Sequence, residues 1–365
     1  MREVWNSPAA QKFRASILDG SFRYCIEGNC YFLTREEEVP LWWEKNGTPY
    51  RNADEITDPR LREIIENNMT VLNDGPFTLT CGYDSTCNLL CPSCRRGKKD
   101  ASKEDIERKL VFQERIFSEI GKDLRLLYIS GVGDPFASPV YQKLLQSLSA
   151  EDYPNLEIHL GTNGLLWTRE KWEAMKGIHE RIATADISID AASPETYPKN
   201  RPGGNWQTLM ENLEFISELR KKGPLRFVMT NFLVQQNNYR EMPAFIELTE
   251  RFGFDLAHLL KMRNWGSLSI PEYKKRSVNQ PLHPEHSAFL KLLCQDCFEC
   301  PVALFTCLHK IRLKALAIQK SGTAGFQRLE MTTKPLRFLD SIYMSLYYAL
   351  RFVYRKIKKL FHVTK

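Results

Sequence analysis

The chain has 365 residues, of which 43% are hydrophobic and 26% are charged, and this composition is typical of a folded protein rather than a disordered one. The net charge of +7 comes from the end of the chain: residues 303–365 hold 13 Lys and Arg and two acids, which leaves 38 basic and 42 acidic residues in 1–302. A basic surface along the whole body is therefore excluded, and no nucleic-acid partner is expected.

The N-terminal sequence does not predict a secretory signal, because no apolar run follows its basic residue. Nor does any segment approach the roughly 20 consecutive apolar residues that a membrane-spanning helix needs. The sequence therefore predicts a cytoplasmic protein. Because that compartment keeps thiols reduced, the ten cysteines are expected to bind metals or clusters where they are grouped, rather than to form disulfides.

Short apolar runs alternate with amphipathic stretches between about residue 77 and residue 266. The predicted strands cover 77–82, 124–130, 156–161, 182–190, 225–234 and 255–262, and the predicted helices cover 102–120, 139–149, 169–177, 206–222 and 240–252. This alternation predicts a parallel sheet with helical crossovers. Six such units are too few for an eight-fold barrel, so we predict an α/β fold with a partial (β/α)6 barrel.

Cysteine-containing segments are predicted on both sides of this core, with a basic amphipathic helix at the end of the chain. The predicted domains are an N-terminal extension (1–76), the core (77–266), a C-terminal extension (267–332) and a tail helix (333–365).

The tail sequence has apolar residues at helical spacing from Leu339 to Leu360, and four basic residues between positions 355 and 359 have no acid nearby. This pattern is typical of a helix that lies on a membrane surface, which predicts peripheral membrane contact. A helix that packs its apolar face on the body of the protein, or on a partner, is the alternative.

Three cysteines, Cys87, Cys91 and Cys94, stand in the loop after the first predicted strand with C-x3-C-x2-C spacing. Thiolates hold iron–sulfur clusters, and a 4Fe–4S cluster has four irons to ligate. Three thiolates therefore leave one iron open to a substrate or cofactor. A zinc site completed by a distant Cys or His is the alternative.

Small or polar residues also end the next three predicted strands, in SGVGDPF (130–136), GTNG (161–164) and SIDA (188–191). Ligands bind at the carboxyl edge of parallel sheets. These turns are therefore predicted to surround a polar cofactor together with the cysteine loop.

The loop CNLLCPSC (87–94) resembles the cluster loop of the radical S-adenosylmethionine (SAM) enzymes, and the resemblance covers about residues 1–300. It implies a 4Fe–4S cluster on the three cysteines, with the amino and carboxylate groups of SAM on the open iron. The turn GVGDP is similar to the family's Gly-Gly-Glu-Pro turn, with Asp in place of the more usual Glu. The resemblance places these residues around SAM: Gly131, Gly133, Asp134, Asn163, Ser188, Asp190 and Asn264.

The resemblance also implies the reaction. A reduced cluster gives one electron to the SAM sulfonium, a carbon–sulfur bond breaks, and the resulting 5′-deoxyadenosyl radical abstracts hydrogen from a substrate. The protein positions the cofactor and excludes water. The implied partners are an electron donor such as a flavodoxin or ferredoxin and a peptide or protein side chain as substrate, with a sugar or other small metabolite as the alternative.

The other seven cysteines include two groups. Cys25 and Cys30 stand in a run that resembles the auxiliary-cluster SPASM or twitch regions of peptide-modifying radical SAM enzymes, although such regions usually follow the core. Free cysteine also packs like a small hydrophobe, so burial is the alternative to metal binding. The second group is predicted to hold a second iron–sulfur cluster or zinc, and it consists of Cys294, Cys297, Cys300 and Cys307.

Two functions of different class follow from these patterns. The first is a radical SAM enzyme. The alternative is a non-catalytic iron–sulfur or zinc-binding scaffold that docks a partner or a membrane through its tail. A relative that binds a cluster without turning over is a third.

Overall fold

The computed structural model describes residues 1–25, 56, 58–97, 101–129, 132–322, 325–340 and 342. Several sequence predictions lie outside these residues: Cys30, Gly131, much of the N-terminal extension and most of the tail helix.

Seven strands form one sheet, in which they follow one another in the order of the chain. Every described pairing is parallel. The first six strands match the six predicted ones, so the predicted α/β class with its parallel core is confirmed. The seventh strand is short and was not predicted. The strands are β1 (Thr78–Cys81), β2 (Leu126–Ile129), β3 (Glu157–Thr162), β4 (Ile182–Ser188), β5 (Phe227–Val234), β6 (Leu256–Lys261) and β7 (Ala303–Leu304).

Helices connect these strands, and the five predicted helices are all found. Residues 325–340 are helical as well. The helices are α1 (Arg2–Trp5), α2 (Pro8–Leu18), α3 (Pro59–Glu66), α4 (Lys103–Ile120), α5 (Pro139–Ser147), α6 (Arg169–Glu173), α7 (Tyr197–Asn200), α8 (Trp206–Lys222), α9 (Met242–Arg251), α10 (Ile270–Arg276), α11 (His286–Leu292) and α12 (His309–Lys320).

The helix ends follow from local chemistry. Ser102 precedes α4, and its side chain accepts a hydrogen bond from the Asp105 backbone N–H at 3.2 Å, which satisfies one of the free donors of the first turn. Asn205 caps α8 in the same way. Gly223 ends α8 in the left-handed conformation at φ +112°, which glycine adopts without a steric penalty.

The chain divides into two compact units. The first unit consists of residues 1–85, 101–160 and 174–183, and the second unit consists of 86–100, 161–173 and 184–365. The first unit contains β1 and β2, and the second contains β5, β6 and β7.

In the second unit, the two faces of β5 differ in burial. Val228, Thr230 and Phe232 lie on one face and are buried. The Phe232 ring packs on that of Phe245 in α9, with ring centroids 4.8 Å apart. The other face includes Asn231, which is half-buried. Helix α9 therefore covers one face of β5, and Asn231 lies on the other face, between Met229 and Leu233.

Within the described residues, no helix is both long enough and apolar enough to cross a membrane.

Candidate functional site

The cysteine loop lies in the second unit and carries three free thiols. Cys91 is buried, Cys87 is half-buried and Cys94 is exposed. The Cys94 backbone N–H donates to the Cys91 carbonyl at 2.9 Å, so the two cysteines flank one tight turn. Leu89 is buried and anchors the loop in the core. Three soft thiolates on an anchored loop are a donor set that fits an iron–sulfur cluster.

Helix α7 and the turn that follows it, residues 197–204, support the cysteine loop, and we call this segment the 197–204 loop. The Leu90 N–H donates to the Pro202 carbonyl at 3.1 Å. Gly203 has a φ of +92°, and a Cβ at this position would lie 3.4 Å from the carbonyl oxygen of Asn88. Only glycine combines this backbone conformation with such a close approach at no cost.

Asp190 follows β4 and connects the 197–204 loop to β5. Its backbone has a positive φ of +62°, which is unusual for a residue with a side chain. One carboxylate oxygen forms an ion pair with the Arg201 guanidinium at 2.7 Å, and the other accepts the Leu233 N–H at 2.7 Å. The carboxylate that was predicted to contact SAM thus has protein partners on both oxygens, and it orients Arg201.

Arg201 acts electrostatically on the buried cysteine. Burial raises the pKa of the Cys91 thiol, and the positive charge of Arg201 opposes this by lowering it. The Nε atom of Arg201 is buried and has no hydrogen-bond partner among the described residues. Arg201 therefore favours negative charge at Cys91, as a thiolate ligand requires.

Asn163, a predicted SAM residue after β3, contacts the cysteine loop. Its Nδ2 donates to Asn88 Oδ1 at 2.9 Å and lies 3.9 Å from the Cys87 sulfur. Its Oδ1 accepts the Leu165 N–H at 3.1 Å, which fixes the orientation of the amide. The structure therefore brings Asn163 together with the thiols.

The loop after β6 also contacts the cysteine loop. The Arg96 guanidinium donates to the carbonyls of Gly266 and Ser267 at 2.7 and 3.0 Å. The Ser267 hydroxyl donates to the Ser93 carbonyl at 3.0 Å. Asn264, which was predicted to lie near SAM, is exposed, and its Oδ1 accepts the Gly266 N–H at 3.0 Å within its own loop.

Ser188, the predicted residue at the end of β4, begins a polar row across three strands. Ser188 pairs in register with Asn231 on β5, and Asn231 pairs with His258 on β6. Register partners on parallel strands point to the same face. All three are half-buried, which places them on the face that α9 leaves uncovered.

His258 is the ionisable member of this row. One ring nitrogen contacts Asn231 Oδ1 at 3.1 Å, and the other contacts Thr306 Oγ1 at 2.8 Å. Burial lowers the pKa of His258 to about 4, so the ring is neutral at pH 7. Sequence reasoning missed Asn231, His258 and Arg201. Polar residues inside the apolar runs of β5 and β6 were the available signal for the first two.

The first unit contains the remaining predicted SAM residues that are described, Gly133 and Asp134. Asp134 is buried, and its Oδ1 accepts the Phe136 N–H at 3.0 Å, which closes the turn before α5.

A buried acid fixes the chain three residues before Cys87. In the first unit, Asp84 forms an ion pair with Lys109 at 3.1 Å and accepts a hydrogen bond from the Ser138 hydroxyl. Its backbone N–H donates to the Tyr141 hydroxyl at 2.9 Å. This network fixes the position of Asp84 within the first unit, and sequence reasoning did not identify it.

The remaining cysteines have separate surroundings. Cys81 on β1 is fully buried, and burial raises the pKa of its thiol to about 12, so it is a packed thiol. The buried Cys294 donates to the Leu290 carbonyl at 3.3 Å, and the sulfur of Cys307 accepts the Lys261 N–H at 3.4 Å. Cys25 and Cys300 are half-buried and Cys297 is exposed.

No three His, Cys, Asp or Glu side chains among the described residues converge on one metal ion. An auxiliary cluster on Cys294, Cys297, Cys300 and Cys307, or on Cys25 and Cys30, stays a prediction.

The centre of the chain is similar to a known protein family. Residues 85–249 match the family model described as the Radical SAM superfamily, a shorter range than the resemblance first indicated. This range contains the cysteine loop, the 197–204 loop and β5.

Two curated proteins are similar to this chain. A probable GTP 3′,8-cyclase of Methanococcus maripaludis is 25% identical over 167 residues, which are 46% of this chain and 53% of the relative. A Pyrococcus furiosus protein described as a tungsten-containing aldehyde ferredoxin oxidoreductase cofactor-modifying protein is 21% identical over 173 residues, 47% of each chain. The chain thus spans about half the length of these relatives.

Among solved structures, SuiB of Streptococcus suis bound to S-adenosylmethionine is similar with a TM-score of 0.44 and 14% identity, over 67% of this chain and 53% of that chain.

Proposed function

We propose that this chain is a radical SAM enzyme that holds a 4Fe–4S cluster on Cys87, Cys91 and Cys94 and cleaves SAM reductively, and the match of residues 85–249 to the Radical SAM superfamily model supports this proposal. The observation that carries the proposal lies in the second unit. Three free thiols lie on one loop there. The amide nitrogen of Asn163 lies 3.9 Å from the Cys87 sulfur, and the positive charge of Arg201 lowers the pKa of Cys91.

When bound, the cluster supplies one electron to SAM and so gives access to a carbon-centred radical that abstracts hydrogen. The protein's own residues prepare the site for this. Arg201, oriented by Asp190, favours the thiolate at Cys91. Asn163 positions the start of the loop through Asn88, and the buried Leu89 keeps its backbone in place. A rigid, preformed ligand set lowers the cost of assembling the site.

We propose that the polar row across β4, β5 and β6 faces the substrate and SAM. This row consists of Ser188, Asn231 and His258. The Ser188 hydroxyl makes no hydrogen bond to the described residues, so it is available to a ligand. The neutral His258 ring holds the Asn231 amide oxygen at 3.1 Å, which leaves the amide N–H groups to donate to a substrate oxygen. The resemblance also assigns SAM contacts to Gly131, Gly133 and Asp134, and these assignments stay predictions.

A peptide or protein side chain is the first proposed substrate class, supported by the likeness of the cysteine-rich flanks to SPASM and twitch regions. A nucleotide is the second candidate, favoured by the 25% identity to a probable GTP 3′,8-cyclase. The proposed partner in either case is a one-electron donor of the flavodoxin or ferredoxin type.

Anaerobic reconstitution tests the proposed reaction. The full chain is loaded with iron and sulfide, reduced with dithionite and given SAM, and 5′-deoxyadenosine is measured. We expect its formation in the wild type and its loss in a Cys87→Ala, Cys91→Ala, Cys94→Ala variant. Ser93→Ala, in the same loop, is the matched control that keeps all three thiols. Reductive SAM cleavage by the triple variant would exclude this cluster site.

Metal analysis of the same samples separates the enzyme from the scaffold alternative. A brown protein that bleaches on reduction supports the iron–sulfur site, whereas a colourless protein with zinc supports the scaffold. A brown protein that forms no 5′-deoxyadenosine supports a relative that binds the cluster without turnover.

A further inference from the structure

A pocket of about 620 Å³ lies beside the segment that follows β5 in the second unit. Its walls are Gln236, Lys274 and Lys275 of α10, residues 280–285, and Asp340. We call this cavity the α10 pocket. None of its walls belongs to the cysteine loop or to the predicted SAM residues, so it is distinct from the proposed cluster site. Its volume is in the range of pockets that hold small organic molecules.

The walls of the α10 pocket are held together by hydrogen bonds. The Gln236 backbone N–H donates to the Arg276 carbonyl at 2.8 Å, which ties the segment after β5 to the end of α10. The Arg276 guanidinium donates to the side-chain oxygen of the buried Gln235 at 3.4 Å. A ring nitrogen of the buried His283 lies 3.0 Å from the Lys275 carbonyl oxygen. Because the walls are preformed, a ligand binds without the cost of ordering them.

Both acids of the pocket already have partners in the protein. The Glu285 carboxylate accepts the Tyr239 hydroxyl at 3.0 Å and forms an ion pair with Arg240 at 2.6 Å. Asp340 forms an ion pair with Lys274. A cationic ligand would have to replace one of these pairs, so the acids do not make this a cation site.

Several hydrogen-bond donors at the pocket have no partner among the described residues. The Lys275 side chain is exposed, and its ammonium makes no ion pair there. Asn279, next to the lining residue Gln280, is only 4% exposed, and its Nδ2 is unpaired. Arg337, one helical turn before Asp340, has a buried and unpaired Nε. Leaving a buried donor unpaired costs free energy, so these groups favour a ligand that accepts hydrogen bonds.

The charge around the α10 pocket is positive on balance. Its two lysines offset its two acids, and Arg240 and Arg337 stand beside them. Burial lowers the pKa of His286, and the charges of Lys314 and Arg337 lower it further. This ring directly follows residues 280–285 and is neutral at pH 7. The surroundings therefore favour an anion over a cation.

One side of the pocket is apolar. Pro281 and Pro284 stand on either side of the half-buried Leu282, and all three line the cavity. The proline rings fix the backbone of this segment. An apolar wall beside a few polar groups is the usual composition of a small-molecule site.

We propose that the α10 pocket binds a small organic carboxylate with an apolar body, the carboxylate beside Lys275 and the apolar body against Leu282. The C-terminus of a peptide and a fatty acid share this chemistry. The proposal does not depend on the reaction that the second unit catalyses, because binding at this pocket is measured without SAM.

Ligand-observed NMR titration of the full chain at neutral pH tests this pocket. The probes are acetyl-leucyl-phenylalanine with a free carboxylate, the same dipeptide as its C-terminal amide, and decanoate. We expect the free carboxylate to bind with a Kd of about 0.1–1 mM, and the neutral amide to bind about fivefold more weakly. Tighter binding of the dipeptide than of decanoate assigns the pocket to a peptide C-terminus, and the reverse order assigns it to a fatty acid. Equal binding of the dipeptide and its amide would overturn the proposal.

Variants of the pocket walls locate the bound probe. Lys275→Gln is expected to weaken binding of the carboxylates about fivefold and to leave binding of the amide unchanged. Leu282→Ala is expected to weaken all three probes about tenfold, because each loses apolar contact. Lys221→Gln, at another exposed lysine in the second unit, is the matched control for Lys275→Gln. Carboxylate binding that is equal in the wild type and in both pocket variants would place the ligand elsewhere and refute the assignment, as would no binding of either carboxylate to the wild type.

Discussion

At the residue scale, Asp190 and Arg201 form an ion pair whose charges act on Cys91 of the cysteine loop. The aspartate accepts the backbone of β5 with one oxygen and the guanidinium with the other. Because both partners are almost fully buried, losing one leaves the other charge without compensation. This pair, rather than a ligand contact of its own, gives Asp190 its role as a positioning residue.

We expect Arg201→Met to lower the free energy of unfolding by about 3 kcal/mol, since it leaves the Asp190 charge buried and unpaired. The Asp190→Asn, Arg201→Met variant removes both charges and is expected to recover much of that stability. Compared with Asp190→Asn, which keeps the cation, the double variant is expected to hold its cluster at a more negative reduction potential, because a cation that favours the reduced cluster is gone.

Spectroelectrochemical titration measures that potential, and a tenfold change in the reduction equilibrium corresponds to about 59 mV for one electron. Arg220→Met, which breaks the ion pair to Asp255 at 2.8 Å in the same unit, is the control for losing an arginine. Equal reduction potentials in Asp190→Asn and in the double variant would show that Arg201 does not act on the cluster.

His258 gives the fold a pH dependence. Burial lowers its pKa from 6.5 to about 4, so the unfolded chain takes up a proton in this window that the folded chain does not. The contribution of His258 to the free energy of unfolding is fully present above pH 6.5, and it is lost as the pH falls towards 4. We expect the wild type to lose about 2 kcal/mol more than His258→Gln between pH 7 and pH 5. Urea denaturation measures this, and parallel pH profiles of the two proteins would contradict it.

At the element scale, the cysteine loop is held by neighbouring loops more than by strands. The 197–204 loop approaches it at Pro202 and Gly203, and the loop after β6 approaches it at Gly266 and Ser267. The acceptors in these contacts are backbone carbonyls, so the positions of the acceptors depend on backbone conformation, while Arg96 and Ser267 donate from their side chains.

Two glycines test this dependence. Both Gly203→Ala and Gly223→Ala place a side chain at a positive φ, and we expect each to cost about 1 kcal/mol of stability. Only Gly203 lies near the cysteine loop, since a Cβ at Gly223 would meet nothing within 4 Å. Gly203→Ala alone is therefore expected to lower iron retention, measured as iron per chain after gel filtration. Equal retention in both variants would contradict a role of the 197–204 loop in the site.

Periodicity and caps sufficed to predict the elements, because apolar spacing and residues such as Ser102 and Gly223 act locally. The strand β7 escaped prediction because it has two residues and exists through its register with β6. The position of Cys91 beside Arg201, 110 residues later in the chain, escaped it too. Such a contact depends on how distant loops pack, which one sequence does not encode in its local pattern.

At the scale of the whole molecule, the cysteines divide by environment. The three loop thiols lie beside a buried cation and polar amides, whereas Cys294 donates to a carbonyl in the core. Burial raises the pKa of both Cys91 and Cys294, and Arg201 and Arg312 oppose this shift at the two thiols. The two groups differ in that only the loop thiols lie within the residues that match the family model.

We therefore expect about four irons per chain after anaerobic reconstitution, the content of one 4Fe–4S cluster. Replacing Cys294, Cys297, Cys300 and Cys307 by Ser is expected to leave that count unchanged, whereas the loop variant without Cys87, Cys91 and Cys94 loses it. About eight irons, falling to four in the first variant, would instead establish a second cluster.

The loop after β6 has an optical consequence. Trp265 is 77% exposed, and its neighbour Gly266 is hydrogen-bonded to Arg96 of the cysteine loop. An indole close to an iron–sulfur cluster transfers excitation energy to the cluster, because the cluster absorbs light, and the fluorescence of the indole falls. Trp265 is one of seven tryptophans, so we expect part of the tryptophan fluorescence to fall as the proposed cluster assembles. Trp265→Phe is expected to remove that part of the change while the contacts of Gly266 and Ser267 remain.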